Sequence, residues 1–406
     1  MLKSVLLISY YFPPMPGAGA LRPGRFAKLL PRFGWTPTTL TGPWHDGGAE
    51  YGDVIPVTPL GDPLAARVRG LWRIVSGSAR WCPGALQTAL TLAARRRFDA
   101  VVSVFSPAYS HVLAAIVAQR CGIPWLADYS EAWGGNKFRP ESPVTSRLNR
   151  LIERRCLQGA AAITCATPGI RSLLSKLHGR LDIEVIENAV DAAEWESIPS
   201  LPPRTFTILY AGQLYGGMLN LELLFAAVTK LRRAGHPAGA AARFEFYCDE
   251  DRIISKAGRR WQLEDAITLH PVTIRERVLH AERRAAALLM LFPMRHISVV
   301  PSKLYEYHGA RRPILAIGPA QSRSNLGGLI EGNRLGYFAT TEDECGASIC
   351  ALYERFTSGR YETDPNPSWS PPTALTTTGQ FAAVLDRITR LAPASDVAPV
   401  LLETNA

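Results

Sequence analysis

The chain has 406 residues, 47% apolar and 20% charged, with Gly and Pro in ordinary proportion; this excludes a disordered or fibrous protein and favours two globular cores over one. Its 45 Lys and Arg against 35 Asp and Glu leave a formal charge of +10, and the whole surplus lies in residues 1 to 160, with 19 basic and 9 acidic side chains. A basic half suits anionic partners such as phosphates, anionic lipid or nucleic acid, with plain solubility as the simpler account.

The start, "MLKSVLLISYYFPP", has Lys3 and a short apolar run and superficially resembles a signal peptide. Its strand formers, its Pro-Pro end and the helix pattern that follows argue for a first strand instead. "RFAKLLPRFG" reads as a helix ended by Gly34, and "TPTTLTG" as the next strand. The segment 66 to 81, "ARVRGLWRIVSGSARW", interleaves Arg67, Arg69, Arg73 and Arg80 with Leu71, Trp72, Ile74 and Trp81. It reads either as a helix lying on an anionic membrane or as one packing its Trp face on a sheet. "DAVVSVFS" at 99 to 106 and "IPWLADY" at 123 to 129 are strands around the helix "AYSHVLAAIVAQRCG"; "AAITCAT" at 161 to 167 and "DIEVIENAV" at 182 to 190 continue the rhythm. Strands alternating with amphipathic helices are the signature of parallel βαβ units.

"ESIPSLPPRT", residues 196 to 205, reads as a Pro-rich linker, after which a second series starts over. "FTILYAG" at 206 to 212, "RFEFYCD" at 243 to 249, "AITLHPV" at 266 to 272, "AALLMLFP" at 286 to 293 and "PILAIG" at 313 to 318 are its strands. The expected organisation is an α/β chain of two Rossmann-like doubly wound domains, 1–195 and 196–375, facing across a cleft. The remainder, 376–406, is expected to hold a helix, "QFAAVLDRITRL", packing back on the first domain, then a loose tail. The natural ligand site of such folds is at the carboxyl ends of the strands. No stretch approaches the roughly 20 apolar residues of a membrane span. Seven cysteines without a C-x-x-C pair encode neither a metal site nor a disulfide framework, which suits a reducing cytoplasm.

Four stretches in this order, "YYFPPMPGAGALRPGRFAKLL", "FSPAYSHVLAAIVAQRCGIPWLADYSEAW", "TILYAGQLY" and "VPSKLYEYHGARRPILAIG", resemble GT-B fold glycosyltransferases of the family-4 type that act in bacterial polysaccharide and glycoconjugate assembly. "IENAVD" resembles the family's Asn-Gly-Val-Asp turn, with Ala189 where Gly is usual. The resemblance implies a nucleoside diphosphate sugar donor held mainly by the second domain. It implies a glycan, lipid-linked or small-molecule acceptor on the first, transfer with retention, and no cofactor or metal. A cytoplasmic protein, peripheral on the inner face of an anionic membrane, fits that role, and no nucleic-acid module is recognisable.

In "PSKLYEY" a helix is expected to begin near Ser302, so that its free backbone N–H groups, the Ser302 hydroxyl and the Lys303 charge can hold a phosphate. Glu306, three residues after Lys303, projects from nearly the same face. By resemblance Glu306 accepts hydrogen bonds from the ribose hydroxyls, while Ser298 stands where the family carries a second Glu. The plain alternative is a capped helix whose Leu304, Tyr305 and Tyr307 pack and whose Lys303 and Glu306 form a weak surface pair.

"PPMPGAGALR" lets Gly17 and Gly19 bring the backbone close to a ligand, with Arg22 adding charge toward the acceptor, or is only a flexible turn. In "ADYSEAW", Asp128 and Glu131 occupy the place of an Asp-x-Arg-Asp-x-Trp pattern. They are candidates to take the acceptor's proton, against a capping Asp and a surface Glu. His111 is either an acceptor contact or a packed helix-start residue. In "YAGQLYGG", Gly212 and Gln213 fall where relatives bind diphosphate with Arg and Lys, so Lys303 and Arg295 are the candidates to supply charge. "CDEDR" at 248 to 252 contains Asp-x-Asp but reads as an acidic loop. Two rivals share the architecture: a sugar-nucleotide epimerase, and a nucleotide-sugar binding relative without turnover.

Overall fold

The apolar runs become two fully parallel sheets in a computed structural model that describes residues 2–43, 48–59, 77–136, 141–179, 182–219, 221–293 and 300–391. The chain forms two compact units: 1–188 with 374–406, and 189–373. In the first, strands β1 (Lys3–Ser9), β2 (Trp35–Thr41), β3 (Asp53–Pro56), β4 (Ala100–Phe105), β5 (Trp125–Tyr129), β6 (Ala162–Cys165) and β7 (Ile183–Val185) lie in the order β3-β2-β1-β4-β5-β6-β7. The order reverses between β1 and β4, where Val5 pairs with Ala100 and Ile8 with Ser103. The crevice at the carboxyl ends of the strands at such a reversal is where these sheets take ligands.

Both faces of this sheet are covered, which is why its strands read as continuous apolar runs rather than alternating ones. Leu6 and Ile8 of β1 pack with Trp81, Leu113 and Val117 on one side. Val5 and Leu7 pack with Phe26, Trp35, Phe381 and Leu385 on the other. The helix Ala374–Leu391 thus belongs to the first unit's core, its Phe381 ring stacked on Phe26 at 4.0 Å. Of the basic stretch 66–81, only the end is described; there Trp81 is buried and donates its indole N–H to the Thr41 carbonyl.

In the second unit, β8 (Thr207–Ala211), β9 (Arg243–Tyr247), β10 (Ile267–His270), β11 (Ala287–Leu291), β12 (Ile314–Ile317) and β13 (Gly336–Ala339) lie in the order β10-β9-β8-β11-β12-β13. The reversal falls between β8 and β11, paired through Ala287–Ile208 and Leu288–Leu209. Leu289 and Leu291 of β11 face one apolar cluster, Leu288 and Met290 the other. All seven cysteines are free, and no described helix is long and apolar enough to cross a membrane.

Candidate active site

The second unit gathers its functional side chains where β8 ends. The chain leaves the strand through Gly212 at φ +149, a conformation that L side chains rarely adopt. Opposite, the helix Ser302–Ala310 begins at Ser302 behind Pro301. Lys303 reaches from its first turn across the strand end, where its ammonium donates to the Ala211 carbonyl and lies 5.2 Å from the centre of the Tyr210 ring. A Cβ on Gly212 would stand 2.7 Å from Lys303 Nζ, so the bare glycine is what lets the amine approach. Gln213 follows, exposed, its carbonyl accepting from the Tyr210 hydroxyl at 2.7 Å. Gly212, Gln213, Ser302 and Lys303 therefore share one corner of this unit. Arg295 and Ser298 lie outside the described residues.

The corner is shaped by a carboxylate from the next strand connection. Glu250 accepts the backbone N–H groups of Leu214 and of Gly216, the latter at 2.6 Å. In "CDEDR" the middle residue thus clamps the loop after β8, although Cys248, Asp249 and Glu250 bring three potential ligand atoms within 4.8 Å of one another.

Glu306 stands one turn along from Lys303 but does not pair with it on the surface. Its carboxylate accepts from Arg275 Nη1 at 2.6 Å, while Arg275 also grips Glu194 through Nε and Nη2 at 2.6 and 2.7 Å. Such forked, charge-assisted contacts fix both carboxylates and the guanidinium between them. Burial alone would raise the Glu306 pKa, but Arg275 and then Lys303 outweigh it and hold the carboxyl below its usual range. Behind it Glu282 is fully buried, and burial first, then the negative Glu306, push its carboxyl well above the ordinary range. Of the two carboxyls, Glu282 is thus the one that keeps its proton to higher pH. Leu304, Tyr305 and Tyr307 pack as expected of the helix's inward side.

Arg275, Glu282 and Glu194 escaped sequence reading. The available signal was that Arg275 and Glu282 flank buried Leu279 at i, i+4 and i+7, putting charges on the inward stripe of the helix Arg275–Arg284.

In the first unit Arg22 and Asp128 meet at the centre of the fold. Arg22 Nε and Nη2 donate to the two Asp128 oxygens at 2.7 and 2.8 Å, Nη1 donates to the Glu187 carbonyl, and Thr164 donates to Asp128 Oδ1 at 2.6 Å. Asp128 is 0% and Arg22 5% exposed. With all this in place Asp128 has no open oxygen to take an acceptor's proton; it is the counter-ion of Arg22, and Arg22 in turn is an internal strut rather than an open acceptor contact.

Glu131 is only partly covered and accepts from the Asn136 amide at 3.2 Å. His111 is fully buried, its Nδ1 2.7 Å from Ser103 Oγ and its ring against Tyr129; burial lowers its pKa to about 3. It is a packed neutral histidine, not an acceptor contact. Gly17, at φ +121 with open space where its Cβ would be, caps the helix Ala18–Leu29, and Gly19 lies against Tyr11.

Residues 17–189 match the family of the glycosyl transferase 4-like domain. Solved structures of similar fold include sucrose-phosphate synthase (tll1590) from Thermosynechococcus elongatus, with TM-score 0.61, 13% identity and 95% of each chain covered. Anabaena Alr3699/HepE in complex with UDP and glucose superposes with TM-score 0.62, 12% identity, 96% of this chain and 98% of that one. The lipopolysaccharide outer core galactosyltransferase WaaB, in its apo form, gives 0.52, 12% and 95% of each chain. No curated protein sequence matches significantly. The chain has the GT-B fold, and its residues 17–189 match the glycosyl transferase 4-like domain.

Proposed function

We propose that this protein is a hexosyltransferase-type glycosyltransferase that moves a sugar from a nucleoside diphosphate donor to an acceptor hydroxyl, with retention, in glycan or glycoconjugate assembly. The observation that carries the reading is the corner after β8, where Gly212 admits the Lys303 ammonium and Glu306 stands one helical turn away with its carboxylate ionised and fixed by Arg275. In this reading Glu306 accepts the ribose hydroxyls, and the backbone at Gly212 and Gln213 with Ser302 and Lys303 receives the diphosphate.

The bond from the sugar's anomeric carbon to the diphosphate oxygen breaks, the acceptor oxygen bonds to that carbon on the same face, and its proton passes to the departing diphosphate. Negative charge grows on that leaving group, and Lys303 is the described side chain at this corner able to meet it. Glu131, partly exposed just after β5, is the remaining candidate to touch the acceptor from the first unit. The HepE structures, complexes with UDP and glucose and with UDP-glucose, support a nucleotide-sugar donor here.

Glu250 favours a second reading. It fills two backbone N–H groups of the loop with the chain's own anion, which would weaken diphosphate binding and suit a relative that binds a donor without transferring its sugar. The deciding assay supplies a panel of nucleoside diphosphate sugars with and without a glycan or lipid-linked acceptor extract, and follows release of the nucleoside diphosphate and the anomeric proton of the product by NMR. Acceptor-dependent release with retained configuration supports transfer, and a Lys303→Ala variant should lose about 10²–10³ in kcat. A new nucleotide sugar formed without acceptor would make it an epimerase, and saturable binding without either product would make it the binding relative.

A further inference from the structure

The helix Pro143–Leu157 of the first unit presents its apolar side outward. Its inward face is anchored by Leu157 and by Glu153, which is fully buried and accepts from the Tyr129 hydroxyl at 3.0 Å and the Gly134 N–H at 3.1 Å, with His178 Nε2 3.0 Å away. On the opposite side Val144 is 75%, Leu148 55%, Leu151 63% and Ile152 37% exposed. The spacing i, i+4, i+7, i+8 puts these four in one continuous stripe, the pattern that ordinarily faces a core.

Arg147, Arg150 and Arg154 run along one flank of the stripe and Arg155 extends its end. All four are exposed, and none is in an ion pair among the described residues. The helix's one acid, Glu153, is on the buried side, so every charge the helix itself shows outward is basic. A contiguous exposed apolar stripe marks an interaction surface, and its rim of guanidinium groups defines the partner.

We propose that this helix seats the protein on an anionic phospholipid bilayer, the Val144–Ile152 stripe entering the boundary between headgroups and acyl chains and the arginines meeting lipid phosphates. Charge disfavours a second copy of the chain, because a self-paired helix would set four arginines against four more, with Glu141 at its N-terminal end already taken by Asn149 at 2.6 Å. Lipid phosphate complements them, and the +10 surplus of residues 1 to 160 adds a long-range attraction of the same sign. The inference rests on this helix alone and stands or falls independently of sugar transfer.

The test is co-sedimentation of the full chain with vesicles of phosphatidylcholine alone and of phosphatidylcholine with phosphatidylglycerol, at low and high salt. Binding is expected only to the anionic vesicles and should weaken with salt. Leu148→Asp with Leu151→Asp should abolish it. Arg147→Gln with Arg154→Gln should weaken it roughly 25-fold, about fivefold per arginine. All four positions are exposed, and unchanged circular dichroism of the variants keeps the comparison about the surface. Failure to sediment with anionic vesicles, equal binding to phosphatidylcholine alone, or binding that survives the leucine pair would overturn the proposal. So would a solution dimer, seen by light scattering, that the leucine pair dissociates while lipid binding is absent.

Discussion

Replacing Glu282 by Gln isolates the buried carboxyl pair of the second unit. Burial and the neighbouring charge push Glu282 well above its ordinary 4.5, while Arg275 and Lys303 hold Glu306 down. An acid whose folded pKa is raised binds more protons folded than unfolded, so its contribution is present below 4.5 and is lost as pH rises toward the folded value. In that window the unfolded chain releases the proton freely, and the native state loses up to about 1.4 kcal/mol per pH unit. Glu282→Gln keeps the side chain's shape and removes the titration.

The melting temperature of the variant should therefore gain on that of the wild type by roughly 3–6 °C for each pH unit above 4.5 until the folded value is reached, taking about 2–4 °C per kcal/mol for a domain of this size. Calorimetry of both proteins at pH 5, 6, 7 and 8 reads this directly. Two parallel curves of melting temperature against pH would mean that Glu282 is ionised in the fold, and the account of the pair would be wrong.

Removing one partner of the buried Arg22–Asp128 pair by Arg22→Ala should cost about 3–5 kcal/mol, seen as a lower denaturant midpoint; adding Asp128→Asn should recover part of it, since no unpaired charge is then left. Gly212→Ala forces a Cβ to within 2.7 Å of the Lys303 amine; we expect weaker nucleotide diphosphate binding by calorimetric titration with the secondary structure intact, and unchanged affinity would mean that Lys303 does not serve the diphosphate. His111, held neutral with its pKa lowered to about 3, contributes stability that is lost as pH falls from 6.5 toward that value. A His111→Gln variant should lose less stability than the wild type over that span, by up to about 1.4 kcal/mol per pH unit, and its nucleotide affinity near neutral pH should not change.

The strands were legible because each sheet is covered on both faces, so "VLLIS", "VVSVF" and "ALLML" had to be apolar throughout. β3 and β13 were not: both are four-residue edge strands, the first ending in Pro56 and the second running Gly336–Ala339, with too little pattern to register. The start of the Lys303 helix at Ser302 was legible from Pro301, a residue that ends an extended segment and admits a helix after it. What a motif could not carry was pairing at long range. Arg22 and Asp128 each read as a ligand contact, yet 106 residues apart in sequence they satisfy one another in the interior.

Glu306 likewise read as a lone ribose acceptor because its partners come from two other helices, Arg275 81 residues from Glu194 and 31 from Glu306. Two further helices defy the usual reading of periodicity. The Arg275–Arg284 helix hides charges on its inward stripe, and the Pro143–Leu157 helix shows apolar residues on its outward one, so the usual inference from pattern to facing fails at both.

The most direct test of the central claim is calorimetric titration of the protein with UDP, GDP, dTDP and CDP, repeated on Glu306→Ala and Lys303→Ala. The account requires that one nucleotide bind selectively, that Glu306→Ala weaken it by removing the ribose acceptor, and that Lys303→Ala weaken the diphosphate more than the corresponding nucleoside. If no nucleotide binds the wild type, or if both variants bind as the wild type does, the corner after β8 is not a donor site and sugar transfer by this chain is contradicted.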